Sequence, residues 1–253
     1  MDRFSQLEFG DSRPAEPSGQ GQGETVRDAA YFHKEAVRYW LAGDCELALR
    51  NYCRVLEQNN TVFEGWTGQV LMLIELGEYK EADLWADKAL ELFPDHPELL
   101  ALKAIACMRD ARTEKAVGYS DNAIGRERPT ARAWLARAEV FLDRNDAVVD
   151  GCLGKALGTA GQDAAIIRLE VARLLRRRGA YPAAISHLQE VVKVLPKAAL
   201  AWYELGCCQQ AVGLAQAKAS LEQALRLHPH WAAAQQALKR CQGGFWNRLL
   251  GRS

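Results

Sequence analysis

The sequence predicts an all-α solenoid of about six helix hairpins ended by a capping helix. Three observations carry this: a motif that returns about every 34 residues, small side chains at fixed places in each copy, and no strand-like alternation of polar and apolar residues.

The motif is clearest in GEYKEADLWADKALELFP, Gly77 to Pro94, with Gly77, an aromatic two residues on, Ala82, Ala89-Leu90 and Pro94. GAYPAAISHLQEVVKVLP repeats the order with Gly179, Tyr181, Ala184, Val191-Val192 and Pro196. A copy one residue shorter holds Gly213, Ala217, Ala224-Leu225 and Pro229, and another holds Gly43, Ala48, Tyr52 and Val55-Leu56. Upstream of each glycine lies a second apolar-periodic stretch. Trp66, Trp134 and Trp202 each begin one, two periods apart. Glycine between the stretches suits a left-handed helix end, and proline after the second one stops it. Pro182 falls just inside a helix start, where a missing N–H costs little.

Trp202-Tyr-Glu-Leu205-Gly206 and the Gly–Ala–Pro order resemble the tetratricopeptide repeat, over roughly residues 29–242. The resemblance implies a right-handed superhelix of antiparallel hairpins, starting here near Ala29, Phe63, Pro97, Ala131, Ala165 and Ala199. Neither helix of a hairpin buries its apolar face alone, so stacking is required. Close approach then demands short side chains: Ala36, Ala104, Ala138, Ala172 and Gly206 on first helices, Ala48, Ala82, Ala116 and Ala184 on second ones.

Two copies depart from the pattern. The third has Ala111 in the glycine's place. The fourth lacks the turn glycine and carries Gly151, Gly154 and Gly158 in its second helix, each costing about 1 kcal/mol against alanine. It is the expected loose point. From His230 to Gln242 a helix caps the last hairpin, and Gly243-Gly244 is expected to break it. Residues 1–28 read as a flexible segment and linker, with an apolar trio Phe4, Leu7 and Phe9 ahead of a Gly/Pro/Ser/Gln-rich stretch. Residues 243–253 read as a short amphipathic tail whose Phe245, Trp246, Leu249 and Leu250 pair four apart.

Composition narrows the function. Thirty-two basic residues balance thirty-two acidic ones, so the basic excess that phosphate neutralisation requires is missing, and a nucleic-acid partner is disfavoured. The seven cysteines include no C-x-x-C pair and no secretory signal is read, which fits reduced thiols and a cytoplasmic location. The five histidines form no metal-ligand motif, and neither a nucleophile elbow nor a phosphate loop is present. No catalytic residue, metal or cofactor is expected, and the chain reads as a non-enzyme.

Binding is what the resemblance implies. In this family first-helix side chains at the second, fifth, ninth and twelfth repeat positions face a concave groove. Those positions here are His33, Val37 and Trp40; Glu64, Thr67, Leu71 and Ile74; Glu98, Ala101, Ile105 and Met108; Arg132, Leu135, Glu139 and Leu142; Leu169, Arg173 and Arg176; then Leu200, Tyr203, Cys207 and Gln210. Chaperone-binding relatives hold a carboxylate there with Lys and Asn, whereas His33, Val37 and Thr67 stand here, so chaperone tails are not expected. The groove reads as an open trough, apolar with an acidic edge at first and basic at the fifth repeat, where Arg173 and Arg176 form a candidate anion-binding end. The expected function is a protein–protein interaction scaffold or adaptor that takes an extended or helical peptide of another protein. The alternatives are a regulatory subunit, a secretion-type chaperone, or a peripheral membrane adaptor using the tail.

Overall fold

The computed structural model describes residues 27–249, with side chains through residue 241. Among them every regular element is helical, in six antiparallel hairpins and a last helix. The first helices are α1 (Ala29–Leu41), α3 (Phe63–Leu76), α5 (Pro97–Arg109), α7 (Ala131–Val140), α9 (Ala164–Arg177) and α11 (Ala199–Ala211). Their partners are α2 (Cys45–Gln58), α4 (Tyr79–Leu92), α6 (Thr113–Ile124), α8 (Asp146–Thr159), α10 (Tyr181–Val194) and α12 (Ala217–Leu227), and α13 (Ala232–Leu249) follows. The fifth hairpin begins at Ala164, after a 3-10 turn over Gly161–Asp163, one residue before the expected start.

The turn chemistry explains the period. Gly43, Gly77, Gly179 and Gly213 all have φ between 75° and 84°. At Gly77 the left-handed turn lets Glu78 N donate to Leu73 O (2.9 Å) and Gly77 N to Ile74 O (3.1 Å), satisfying the carbonyls of the last turn of α3. Ala111 keeps the same geometry with φ 58°: Arg112 N donates to Cys107 O (2.8 Å) and Ala111 N to Met108 O (3.2 Å). An alanine held there costs about 1–2 kcal/mol. The fourth hairpin breaks the scheme. Its α7 stops at Val140, and extended Asn145 caps α8 by accepting from Val148 N (3.2 Å). The glycines of α8 are exposed, and a Cβ on any of the three would meet nothing within 4 Å.

The small residues sit where stacking needs them. Each of the alanines named for close approach is 0% exposed, and a Cβ on Gly206 would lie 2.6 Å from Leu221 Cγ. Two of the repeat tryptophans tie down the preceding linker, Trp66 Nε1 donating to Asn60 O (2.7 Å) and Trp202 Nε1 to Pro196 O (3.0 Å). One continuous apolar core runs from Ala36 to Cys208.

Two expectations are overturned. Helix α13 passes through Gly243-Gly244 to Leu249, because glycine weakens a helix without removing a hydrogen bond. The trough is not open either: the superhelix returns on itself, and α1 packs against α11. The His228 ring Nδ1 lies 2.9 Å from Ala42 O, and Trp231 covers Gly43 so closely that a Cβ there would fall 2.6 Å from its ring. The N-terminal linker, its apolar trio and Leu250 lie outside the described residues, as do the side chains of Phe245, Trp246 and Leu249.

Candidate functional site

Closure leaves cavities inside the superhelix, and two of them share Leu71 and Arg132 in their walls. The larger, about 880 Å³, lies toward the first repeat. Its wall is built from His33, Val37 and Trp40 of α1, Phe63, Thr67 and Leu71 of α3, and Ile166 and Ile167 of α9. Glu64 and Asp163 are exposed at its rim, so it opens to solvent beside two carboxylates. His96 also lines it, its ring tilted against Phe63 with centroids 4.1 Å apart, and burial lowers its pKa from the ordinary histidine value.

The smaller cavity, about 430 Å³, is lined by charge. Successive first helices contribute alternating signs there: Glu75 from α3, Arg109 from α5, Glu139 from α7, Arg173 from α9, and behind it Glu204 from α11. Arg109 Nε donates to Glu139 Oε1 (2.8 Å) and its guanidinium lies 3.7 Å from Glu75. Arg173 reaches across the superhelix to Glu75, donating through two nitrogens at 3.1 and 2.5 Å, and holds Glu204 at 3.3 Å. Arg176 lies 2.6 Å from Glu204, and Arg177 lies 2.7 Å from Glu139. Arg132 stands between Glu98 (2.6 Å) and Glu170 (2.7 Å), linking the walls of the two cavities.

Burial opposes the charge on each carboxylate, and the outcome depends on the cations present. For Glu75 the nearby Arg173 and Arg109 outweigh burial, and for Glu139 Arg109 and Arg177 do, so both carboxyls stay below their usual range. Glu170 shares Arg132 with Glu98, and burial wins: its carboxyl is raised.

These stacked hairpins agree with the comparisons. Residues 153–209 match a family described as Tetratricopeptide repeat. This chain belongs to the tetratricopeptide repeat family. An uncharacterized protein of Methanocaldococcus jannaschii is 34% identical over 59 residues, which are 23% of this chain and 69% of that protein. Among solved structures, human IFIT1 in a dimer with PPP-AAAA gives a TM-score of 0.59 at 16% identity, over 89% of this chain and 56% of that one. The Cut9–Hcn1 assembly of an APC/C hetero-tetramer gives 0.55 at 15% identity, over 86% of this chain and 44% of that one. The chain thus spans about half the length of these two solved chains, and the likeness is one of fold. Tetratricopeptide repeats serve in general as non-catalytic scaffolds for protein–protein interaction.

In this tetratricopeptide protein the family's groove positions separate into four groups. His33, Val37, Trp40, Glu64, Thr67 and Glu98 line the larger cavity, Trp40 as a wall residue only 3% exposed. Ile74, Ile105, Leu135, Glu139, Arg173 and Arg176 line the smaller one, and Leu71 and Arg132 line both. Eight expected groove residues line neither, Leu142, Leu169, Leu200 and Cys207 among them. Ala101 is fully buried in α5, Met108 packs on a side cluster of Cys107, Ala116 and Val140, Tyr203 packs at a tilt against Trp231 (4.7 Å), and Gln210 stands at the end of α11. Helix α11 packs against α1 and α13 and adds no residue to either cavity wall. Arg173 and Arg176 are not free cations, since Glu75 and Glu204 hold them.

Reading only the groove positions missed Glu75 and Arg109 at the thirteenth repeat position and Glu170 and Glu204 at the sixth. The signal was present: Glu75 and Arg109 are one period apart with opposite sign. Among the described residues no group of His, Cys, Asp and Glu is placed to hold a metal, and no helix is long and apolar enough to cross a membrane.

Proposed function

We propose that the protein is a cytoplasmic, non-catalytic adaptor whose larger cavity receives an apolar, positively flanked segment of another protein, extended or helical. The observation behind this reading is the contrast within that cavity: an apolar wall of Val37, Phe63, Leu71 and Ile166 beneath the exposed carboxylates of Glu64 and Asp163. Burying a partner's apolar side chains against that wall supplies affinity, at about 25 cal/mol for each Å² removed from water. The carboxylates at the rim favour a basic flank and set its direction. The seven unpaired cysteines accord with a reducing compartment.

The test is affinity purification from native cells with mass spectrometry, comparing the parent with Thr67→Arg, which puts bulk and like charge for the partner's flank into the cavity. A partner retained by the parent and lost from the folded variant supports the reading. Equal retention by both refutes docking in this cavity.

A further inference from the structure

We propose that the smaller cavity is a binding site for a small organic anion, a phosphate or carboxylate head on an apolar body. This does not rest on the partner-segment reading, which concerns the other cavity. The charges are layered. The side chains of Arg109 and Arg173 are 22% and 23% exposed and those of Arg176 and Arg177 are 35% and 40% exposed, whereas Glu75, Glu139 and Glu204 are 9%, 3% and 3% exposed. An entering molecule therefore meets guanidinium groups first, with the carboxylates sunk behind them.

Those carboxylates position the arginines without exhausting them. Arg176 lies against Glu204 as an ion pair through Nε without a hydrogen bond, Arg177 pairs one terminal nitrogen with Glu139, and no other protein acceptor among the described residues takes their remaining nitrogens. Two adjacent guanidinium forks with spare donors match the oxygens of a phosphate or carboxylate. Because Glu139 is also held by Arg109, and Glu204 by Arg173, the forks are fixed before the ligand arrives. The ordering cost of binding falls accordingly. The rest of the wall is the Arg132–Glu170 ion pair and an apolar set of Leu71, Ile74, Ile105, Leu135 and Leu174, beside Tyr79. A bare inorganic ion would leave that wall wet, so the fitting ligand carries an apolar body. The volume of about 430 Å³ lies in the range of small-molecule sites.

The experiment is calorimetric titration of the full chain with phenyl phosphate, benzoate and inorganic phosphate at one ionic strength. Saturable binding of at least one aromatic probe, tighter than inorganic phosphate, is expected. Arg177→Gln removes a charged donor while Glu139 keeps Arg109, and should weaken the probe about tenfold or more. Arg178→Gln is the control, since Arg178 pairs with Asp146 and Asp150 and does not line the cavity, and it should leave affinity unchanged. In the unaltered protein, methyl resonances of Leu71, Ile74, Ile105 and Leu135 should shift with the probe. Absence of saturable binding at millimolar probe, equal affinity in Arg177→Gln, equal weakening in Arg178→Gln, or shifts confined to residues outside the cavity would each overturn the proposal.

Discussion

The ion pair between Arg173 and Glu75 joins residues 98 positions apart and ties α9 to α3 across the superhelix. Arg173→Met removes the cation, and the size of the effect follows from what each carboxylate keeps. Glu204 retains Arg176 at 2.6 Å, whereas Glu75, only 9% exposed, retains Arg109 at 3.7 Å. Opposite charges about 4 Å apart attract by about 4 kcal/mol at an effective dielectric constant near 20, before desolvation is charged against them. Stranding a buried partner costs about 3–5 kcal/mol. The second contact from Arg109 and the 23% exposure of Arg173 place this case at the lower end, about 3 kcal/mol. Glu75→Leu strands less, because Arg173 keeps Glu204 and Arg109 keeps Glu139, so about 1–2 kcal/mol is expected. The double variant leaves no orphaned charge at Glu75 and should cost less than the sum, giving a coupling of about 2 kcal/mol. Urea unfolding followed by circular dichroism and by tryptophan fluorescence measures all four corners. The single variants should also show a broader transition, since a solenoid without its cross-tie unfolds from either end. Additivity within about 0.5 kcal/mol would show that the pair carries no coupling and that the reasoning about the cross-tie is wrong.

Three further outcomes are expected. Gly43→Ala and Gly77→Ala both put a side chain at φ near 84°, but only the first also collides with Trp231, so it should cost about 1–3 kcal/mol more in urea midpoint; equal costs would mean the seam is not closed in solution. Ala111→Gly relieves the left-handed strain and should stabilise by about 1 kcal/mol in the same assay. Acid should act with opposite signs on two carboxylates. Glu139 has a lowered folded-state pKa, so its contribution is present above the ordinary 4.5 and disappears as pH falls through the folded value; Glu170 has a raised one, so its contribution is complete below 4.5 and disappears as pH rises through the folded value. The stability of the parent relative to Glu170→Gln should therefore decline from pH 4.5 upward, and a flat difference in urea titrations across that window would contradict the raised carboxyl.

The hairpins were legible because each depends on local chemistry. Gly43, Gly77, Gly179 and Gly213 mark their turns by a conformation that glycine favours, and Ala111 could still be placed by counting one period from Gly77. The alanines of the helix contacts were legible for the same reason, since the space between two helices is set within one repeat. Closure was not legible. Whether Trp231 meets Gly43 depends on small rotations summed over six repeats, and no single residue encodes that sum. The groove rule failed with it: Tyr203 and Gln210 would face a concave surface in an open solenoid, but here α11 packs against α1 and α13 and lines neither cavity. The glycines at 243 and 244 misled because a weak helix former was read as a helix stop.

The alternation of charge makes sense only together with the closure. Side by side on neighbouring first helices, like charges would repel, so a line of ionised residues along the inside must change sign at every step: Glu75, Arg109, Glu139, Arg173, Glu204. When the superhelix returns, α9 meets α3, three steps away along that line. An odd number of steps guarantees opposite signs at the meeting point, and Arg173 finds Glu75 at 2.5 Å. One hairpin more between them, with the alternation kept, would bring like charges together in a buried space. The number of repeats per closure and the order of charges are therefore one constraint rather than two. Such a network adds little stability over an apolar filling of the same volume. It does keep five guanidinium groups and their carboxylates standing around a space that apolar side chains would pack together to fill, which is why this interior holds a charged cavity instead of a core.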